Sequence, residues 1–175
     1  MPDNPVQLDN ERDTFSLCGD FVKELGNASP RAKAVVAASA LDEILARFLE
    51  KELRDPKIAK RLIRRPYAPL GTFSARLDAA YGLNLISKNQ YDALSTIREV
   101  RNHFAHRVNC SFNDKDIAGL CLRLNIKDVF YPPGKEGNPE TRYLMNASAI
   151  CGQLDGLFRL WETRGDHPSM YLHEY

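Results

Sequence analysis

The sequence lacks several features that would place it in a common functional class. No stretch approaches the roughly 20 apolar residues of a membrane span, and the opening MPDNPVQLDNERDTF has no apolar segment typical of a signal peptide. The formal net charge is only +1, so no overall field draws the chain to nucleic acid or to a membrane. The four cysteines stand far apart with no CxxC pair, which excludes the usual zinc-finger and thioredoxin spacings. We therefore expect a cytoplasmic protein without membrane contact, with reduced, mostly buried thiols.

Cofactor motifs are also absent. GTFSAR and GLNLIS match neither a Walker loop nor a dinucleotide fingerprint, and there is no GxSxG elbow. Glu99, His103 and His106 have helical spacings of four and three, but no second cluster of acidic or histidine residues could complete a metal site. We predict that the protein uses no metal and no other cofactor.

What the sequence does contain is helical periodicity almost throughout. Cap residues, prolines and apolar spacing predict an all-α fold, a single bundle of about six to seven helices. The expected helices cover 15–25, 31–53, 56–64, 72–81, 87–106, 113–124 and 139–165. Alternation typical of a strand is limited to a few residues at 128–131. We predict one domain over 1–175, with 1–10 and 166–175 as flexible or partner-docking tails.

The short segment PKIAKRLIRR carries a cluster of basic residues. Their spacing places the first four on one helix face, with Arg65 just beyond: Lys57, Lys60, Arg61, Arg64 and Arg65. Such a stripe could bind phosphates or an acidic partner, or it could be an ordinary solvated face. No aromatic residues interleave to stack on bases, and no basic recognition helix follows a tight turn. We do not expect direct DNA binding.

The segment REVRNHFAH, at residues 98–106, offers the strongest chemistry. Arg101 and His106 lie about 140° apart on a helix, but Asn102 shares a face with His106 and a long arginine can curl towards it. Arginine could hold a phosphate, and a histidine of near-neutral pKa could move the proton of an attacking RNA 2′-hydroxyl without a metal. Alternatively, both residues only stabilise the negative end of the helix dipole.

Three longer segments carry a family resemblance. RAKAVVAASALDEILARFLE, APLGTFSARLDAAYGLNLIS and IREVRNHFAH together resemble the mannitol operon repressor (MltR-like) family of bacterial proteins, over about a third of the chain. The resemblance implies an all-helical regulator of transcription. Because no helix-turn-helix is present, it favours a non-enzymatic repressor-like protein that acts through contacts with a protein partner, which is our first hypothesis.

A second resemblance concerns the motif alone. RNHFAH is similar to the R-x4-H pattern of HEPN domains, in which two copies of the motif commonly meet across a dimer interface. It implies a HEPN-like helical bundle and a homodimeric, metal-independent endoribonuclease, in which Arg101 holds the scissile phosphate, Asn102 orients the site and His106 transfers a proton. This is the alternative hypothesis, and the only one that makes RNA a ligand. Ser74 and Arg76 of PLGTFSAR would instead connect their loop to the bundle. We expect a homodimer in either case, with the motif helix and residues 170–172 as candidate contact surfaces.

Overall fold

The computed structural model describes residues 28–127 and 129–172. Within these ranges the chain forms six α-helices and one short 3-10 helix, and no strand. The α-helices are α1 (Pro30–Glu52), α2 (Pro56–Ile63), α3 (Phe73–Gly82), α4 (Lys88–His106), α5 (Lys115–Arg123) and α6 (Pro139–Arg164), and the 3-10 helix is Pro168–Met170. The all-α prediction is confirmed. The helix predicted at 15–25 lies outside the described residues.

Most helix starts follow from local capping, as predicted. The side chain of Ser29 accepts a hydrogen bond from the Ala32 N–H at 3.2 Å, ahead of Pro30 at the first helical position. Ser87 and Gln90 form a reciprocal capping box at the start of α4. The Asn138 side chain accepts from the Thr141 N–H at 2.8 Å to begin α6. Each cap pairs a donor that would otherwise have no partner within the helix.

One local prediction was wrong. Asn113 was expected to cap α5, but Asp114 precedes this helix and makes no side-chain cap hydrogen bond. Gly82 is the last residue of α3, where the helix was expected to close, and the left-handed conformation, with a φ of 57°, falls two residues later, at Asn84. Asparagine tolerates this conformation better than most residues with a side chain, so it can turn the chain there.

The first helix, α1, is the centre of the bundle. It contacts α2, α3, α4 and α6, and its buried residues occupy a wide arc, as its alanine-rich sequence predicts. Lys33 pairs with Glu140 of α6 at 2.7 Å, and the buried Tyr143 hydroxyl donates to the Ala34 carbonyl at 2.8 Å. Small residues on α1 allow neighbouring helices to approach closely, so one continuous core connects all six helices.

A buried amide is fully paired where α6 meets the segment after α5. Asn146 of α6 is fully buried, accepts from the Ile126 N–H at 2.9 Å, and donates to the Tyr131 hydroxyl and the Arg142 carbonyl, both at 2.8 Å. Because buried amides are costly when unpaired, this network determines how the irregular segment after α5 returns to the bundle. The few residues at 128–131 considered for a strand form none in their described part.

Residues 166–172 pack against their own bundle. The His167 imidazole lies 3.1 Å from a Glu52 carboxylate oxygen and edge-on to the Trp161 ring, and Leu172 is 8% exposed within the core. Of the expected contact residues 170–172, Met170 is 64% exposed, whereas Tyr171 is half-buried and Leu172 is buried.

The thiols differ from expectation. Cys110 and Cys121 are free, and Cys121 is buried, with its pKa raised to about 12 by that burial. Cys151 is disulfide-bonded. The expectation of four reduced thiols is therefore wrong. None of the described helices combines the length and apolar character needed to cross a membrane.

Removing the Tyr143 hydroxyl tests the connection between α1 and α6. Tyr143→Phe should lower the free energy of unfolding by about 1–2 kcal/mol, because the buried Ala34 carbonyl loses its donor. Chemical denaturation measures this change. The matched control is Tyr67→Phe, since Tyr67 is fully exposed and should leave stability unchanged. Equal stability of wild type and Tyr143→Phe would contradict a structural role for this bond.

Candidate functional site

A polar cavity lies where α1, the start of α3 and the second half of α4 meet. Its volume is about 410 Å³. The lining residues come from all three elements: Ala38, Ser39, Asp42, Gly71, Thr72, Phe73, Ser74, Arg98, Arg101 and Asn102. The lining carries two arginines, one carboxylate, three hydroxyls and one amide, and this cavity is therefore the candidate functional site.

Arg101 and Asn102 of the predicted motif both line this cavity. The Arg101 Nη1 donates to the Asn102 Oδ1 at 3.1 Å, so the amide orients the guanidinium. Both residues are half-buried. The structure therefore brings together two of the three motif residues that the sequence singled out.

His106 lies apart from them. It is the last residue of α4, it is exposed, and it does not line the cavity. Its neighbours in sequence contact α5 instead, since Arg107 Nη2 lies 2.6 Å and His103 Nδ1 3.6 Å from an Asp116 carboxylate oxygen. Within one chain, Arg101 and His106 therefore do not face the same cavity, as their wide separation around the helix predicts.

Arg76 positions the wall of the cavity. Its guanidinium is buried and donates to the Leu70 carbonyl at 2.9 Å and the Ile63 carbonyl at 3.1 Å, which connects the loop to the bundle as predicted. Its Nη1 also lies 2.9 Å from the Asp42 Oδ1, close in distance but not in hydrogen-bond direction. Burial raises the pKa of Asp42, and Arg76 partly opposes that shift.

Sequence reasoning missed Asp42 and Arg98 as parts of a site. Each belongs to a helix whose sequence has an ordinary amphipathic pattern. Only the packing of α1 against α4 brings the two residues together. Ser74 was expected to be structural, yet it lines the cavity. The one usable signal was the capping sequence Thr72–Ser74, because a helix start presents unpaired N–H groups.

The basic stripe on α2 is only partly available. All five of its residues are exposed, but Arg64 donates to Glu43 and Glu50 of α1 through four hydrogen bonds of 2.6–2.9 Å. Arg64 therefore does not belong to a free basic face, which is a correction to the predicted patch. Lys57, Lys60, Arg61 and Arg65 make no ion pair with any described residue.

Glu99, His103 and His106, the helically spaced residues from which no metal site was expected, do not come together. Within residues 28–127 and 129–172, no three His, Cys, Asp or Glu side chains lie close enough to hold one ion. His103 faces Asp116, whereas Glu99 and His106 are exposed.

An all-helical bundle with a polar cavity and a basic outer helix is the class that these observations define. No family model matches the chain, and no curated protein matches it. The chain is similar to a solved structure, that of the MtlR–HPr complex from Escherichia coli, with a TM-score of 0.61 and 19% identity over 80% of this chain and 99% of that chain. At this identity the likeness shows the fold, which is MtlR-like.

The Arg64 contacts predict a pH dependence. Burial would raise the pKa of Glu43, but hydrogen bonds and charge from Arg64 and Arg47 lower it below its ordinary 4.5. Because the folded pKa is the lower one, this stabilisation is present at neutral pH and is lost as the pH falls below 4.5 through the folded pKa.

Arg64→Gln should therefore lower the free energy of unfolding at pH 7 by about 1 kcal/mol, a modest amount because the paired side chains are about one-third exposed. Below pH 4.5 the stability of Arg64→Gln should fall less steeply than that of wild type. Urea denaturation between pH 7 and pH 3 measures both effects. Arg61→Gln, an exposed change on the same helix, is the control. Parallel pH profiles for wild type and Arg64→Gln would contradict the coupling.

Proposed function

We propose that this chain is a non-enzymatic regulator that acts by binding a protein partner, and that it belongs with the mannitol-repressor-like proteins. The observation that carries the proposal is the MtlR-like fold, because the solved neighbour is MtlR in complex with HPr. The partner we propose for this chain is HPr or a protein with the same surface. The three sequence segments that resemble the repressor family support this assignment independently of the structure.

The outer face of α2 is the contact surface that we propose. Lys57, Lys60, Arg61 and Arg65 are exposed and make no ion pair with any described residue, so their charges are free to attract an acidic face. The contacts of Arg64, which directly follows α2, hold this short helix against α1 and so position the backbone that carries the four cations. Charges arranged in this way act mainly on the rate of association and on the choice of partner.

Charge reversal on α2 tests the proposal. Wild type should bind purified HPr, and Lys60→Glu combined with Arg61→Glu should slow association about tenfold or more at low salt. Biolayer interferometry at low and high ionic strength measures the rates. Because salt screens exposed charges, the difference between wild type and the variant should shrink at high salt.

The control is the double variant Lys127→Glu and Lys135→Glu, which changes the net charge by the same amount. Both lysines are exposed and distant in sequence from α2. Absence of binding by folded wild type would remove HPr as the partner. Equal slowing by both double variants would show a general charge effect and would remove α2 as the contact surface.

The ribonuclease alternative has less support. Arg101 and Asn102 line one cavity, whereas His106 is exposed outside it, so a complete site would need a second copy of the chain. A homodimer remains a proposal of its own, which light scattering during gel filtration measures directly.

We expect no cleavage of end-labelled RNA by purified wild type in the presence of EDTA. The comparison is His106→Ala, which should fold normally and change stability by no more than about 1 kcal/mol because His106 is exposed at a helix end. Products with 2′,3′-cyclic phosphate ends that disappear in His106→Ala would instead establish the nuclease.

A further inference from the structure

We propose that the cavity between α1, α3 and α4 binds the phosphate group of a small phosphomonoester. The site uses Arg98 and Arg101 as the cationic groups and the first turn of α3 as a set of N–H donors. The proposal is independent of the α2 surface and of partner binding, and it does not involve His106.

The first argument is unpaired positive charge. Arg98 and Arg101 line the cavity from the same face of α4, and neither makes an ion pair with any described residue. The Arg98 Nε is buried and has no hydrogen-bond partner. A guanidinium nitrogen withdrawn from water in this way is costly unless an acceptor completes its hydrogen bonds. A bound anion would supply that acceptor.

Asp42 does not supply the missing negative charge. It lines the same cavity, but it lies 2.9 Å from the Arg76 guanidinium, which comes from behind the cavity wall. The two opposite charges of Asp42 and Arg76 offset each other. Asp42 also attracts Arg101. Arg76, Arg98 and Arg101 nevertheless carry three positive charges against the one negative charge of Asp42, and a dianion would balance this excess.

The second argument is the helix start that faces them. The cavity is bordered by Thr72, Phe73 and Ser74, which are the cap and first two residues of the ten-residue α3. The Thr72 side chain accepts from the Ala75 N–H at 3.2 Å, whereas the N–H groups of Phe73 and Ser74 have no acceptor within the helix. Such N–H groups, together with the positive end of the helix dipole, suit phosphate oxygens.

The size of the cavity and its remaining polar groups indicate the class of ligand. A volume of about 410 Å³ falls in the range of roughly 300–1,000 Å³ that is usual for small-molecule sites, and exceeds the needs of a phosphate ion alone. Ser39, Ser74 and Asn102 add hydroxyl and amide groups beside the arginines. These groups could hydrogen-bond the hydroxyl groups of a sugar or polyol phosphate, so we propose a ligand of that kind.

Calorimetric titration of the full chain with glucose 6-phosphate, inorganic phosphate and unphosphorylated glucose tests the proposal. Wild type should bind the sugar phosphate more tightly than inorganic phosphate, and glucose not at all. Arg98→Gln and Arg101→Gln should each weaken binding about tenfold or more, because each removes charged hydrogen bonds. Arg61→Gln, an arginine change on α2, is the matched control and should bind like wild type.

Amide chemical shifts locate the bound ligand without relying on any variant. Addition of glucose 6-phosphate should shift the Phe73, Ser74 and Asn102 amide signals and leave those of α2 in place. The proposal is overturned if wild type does not bind, if the folded arginine variants bind like wild type, or if the shifts fall elsewhere. Binding of a phosphoserine peptide with no binding of the sugar phosphate would also overturn it, because it would replace the small-molecule ligand by a modified protein.

Discussion

The buried guanidinium of Arg76 is the interaction on which the candidate site depends. It donates to two carbonyls of the α2–α3 connection, at Ile63 and Leu70, and faces the Asp42 carboxylate of the central helix. A buried charge is stable only when such partners are all in place, so the loop has little freedom to take another path. The position of the loop in turn places the start of α3 opposite Arg98 and Arg101. One side chain thus connects the packing of the bundle to the shape of its cavity.

The predictable parts of the fold were those decided by neighbouring residues. The caps at Ser29, Ser87 and Asn138 could be predicted because each is completed within three residues along the chain. The left-handed turn at Asn84 could not, because the path of the chain between packed helices selects the residue that takes a positive φ.

The site shows the same division. Arg101 and Asn102 are adjacent, so one short motif predicted both. The angle of about 140° between Arg101 and His106 on the helix also indicated that the histidine points in another direction. Asp42 and Arg98 come from different helices, and the sequence could not predict them as parts of one site because only the packing of α1 against α4 brings them together. The role of Arg64 was also hidden, because a basic residue in a basic stripe gives no sign that two glutamates of another helix face it. The basic residues on α2 and the arginines of the cavity also differ in their electrostatics, because solvent screens the exposed charges on α2 far more than those inside the cavity.

Arg31 has a consequence for the end of α4. Its guanidinium donates to the carbonyls of Arg107 and Val108, which directly follow that helix. The backbone on the far side of His106 is therefore tied to α1, and the last turn of α4 cannot fray freely. His106 is thereby held at a fixed end of the bundle, and its imidazole can change direction by rotation about χ1 and χ2.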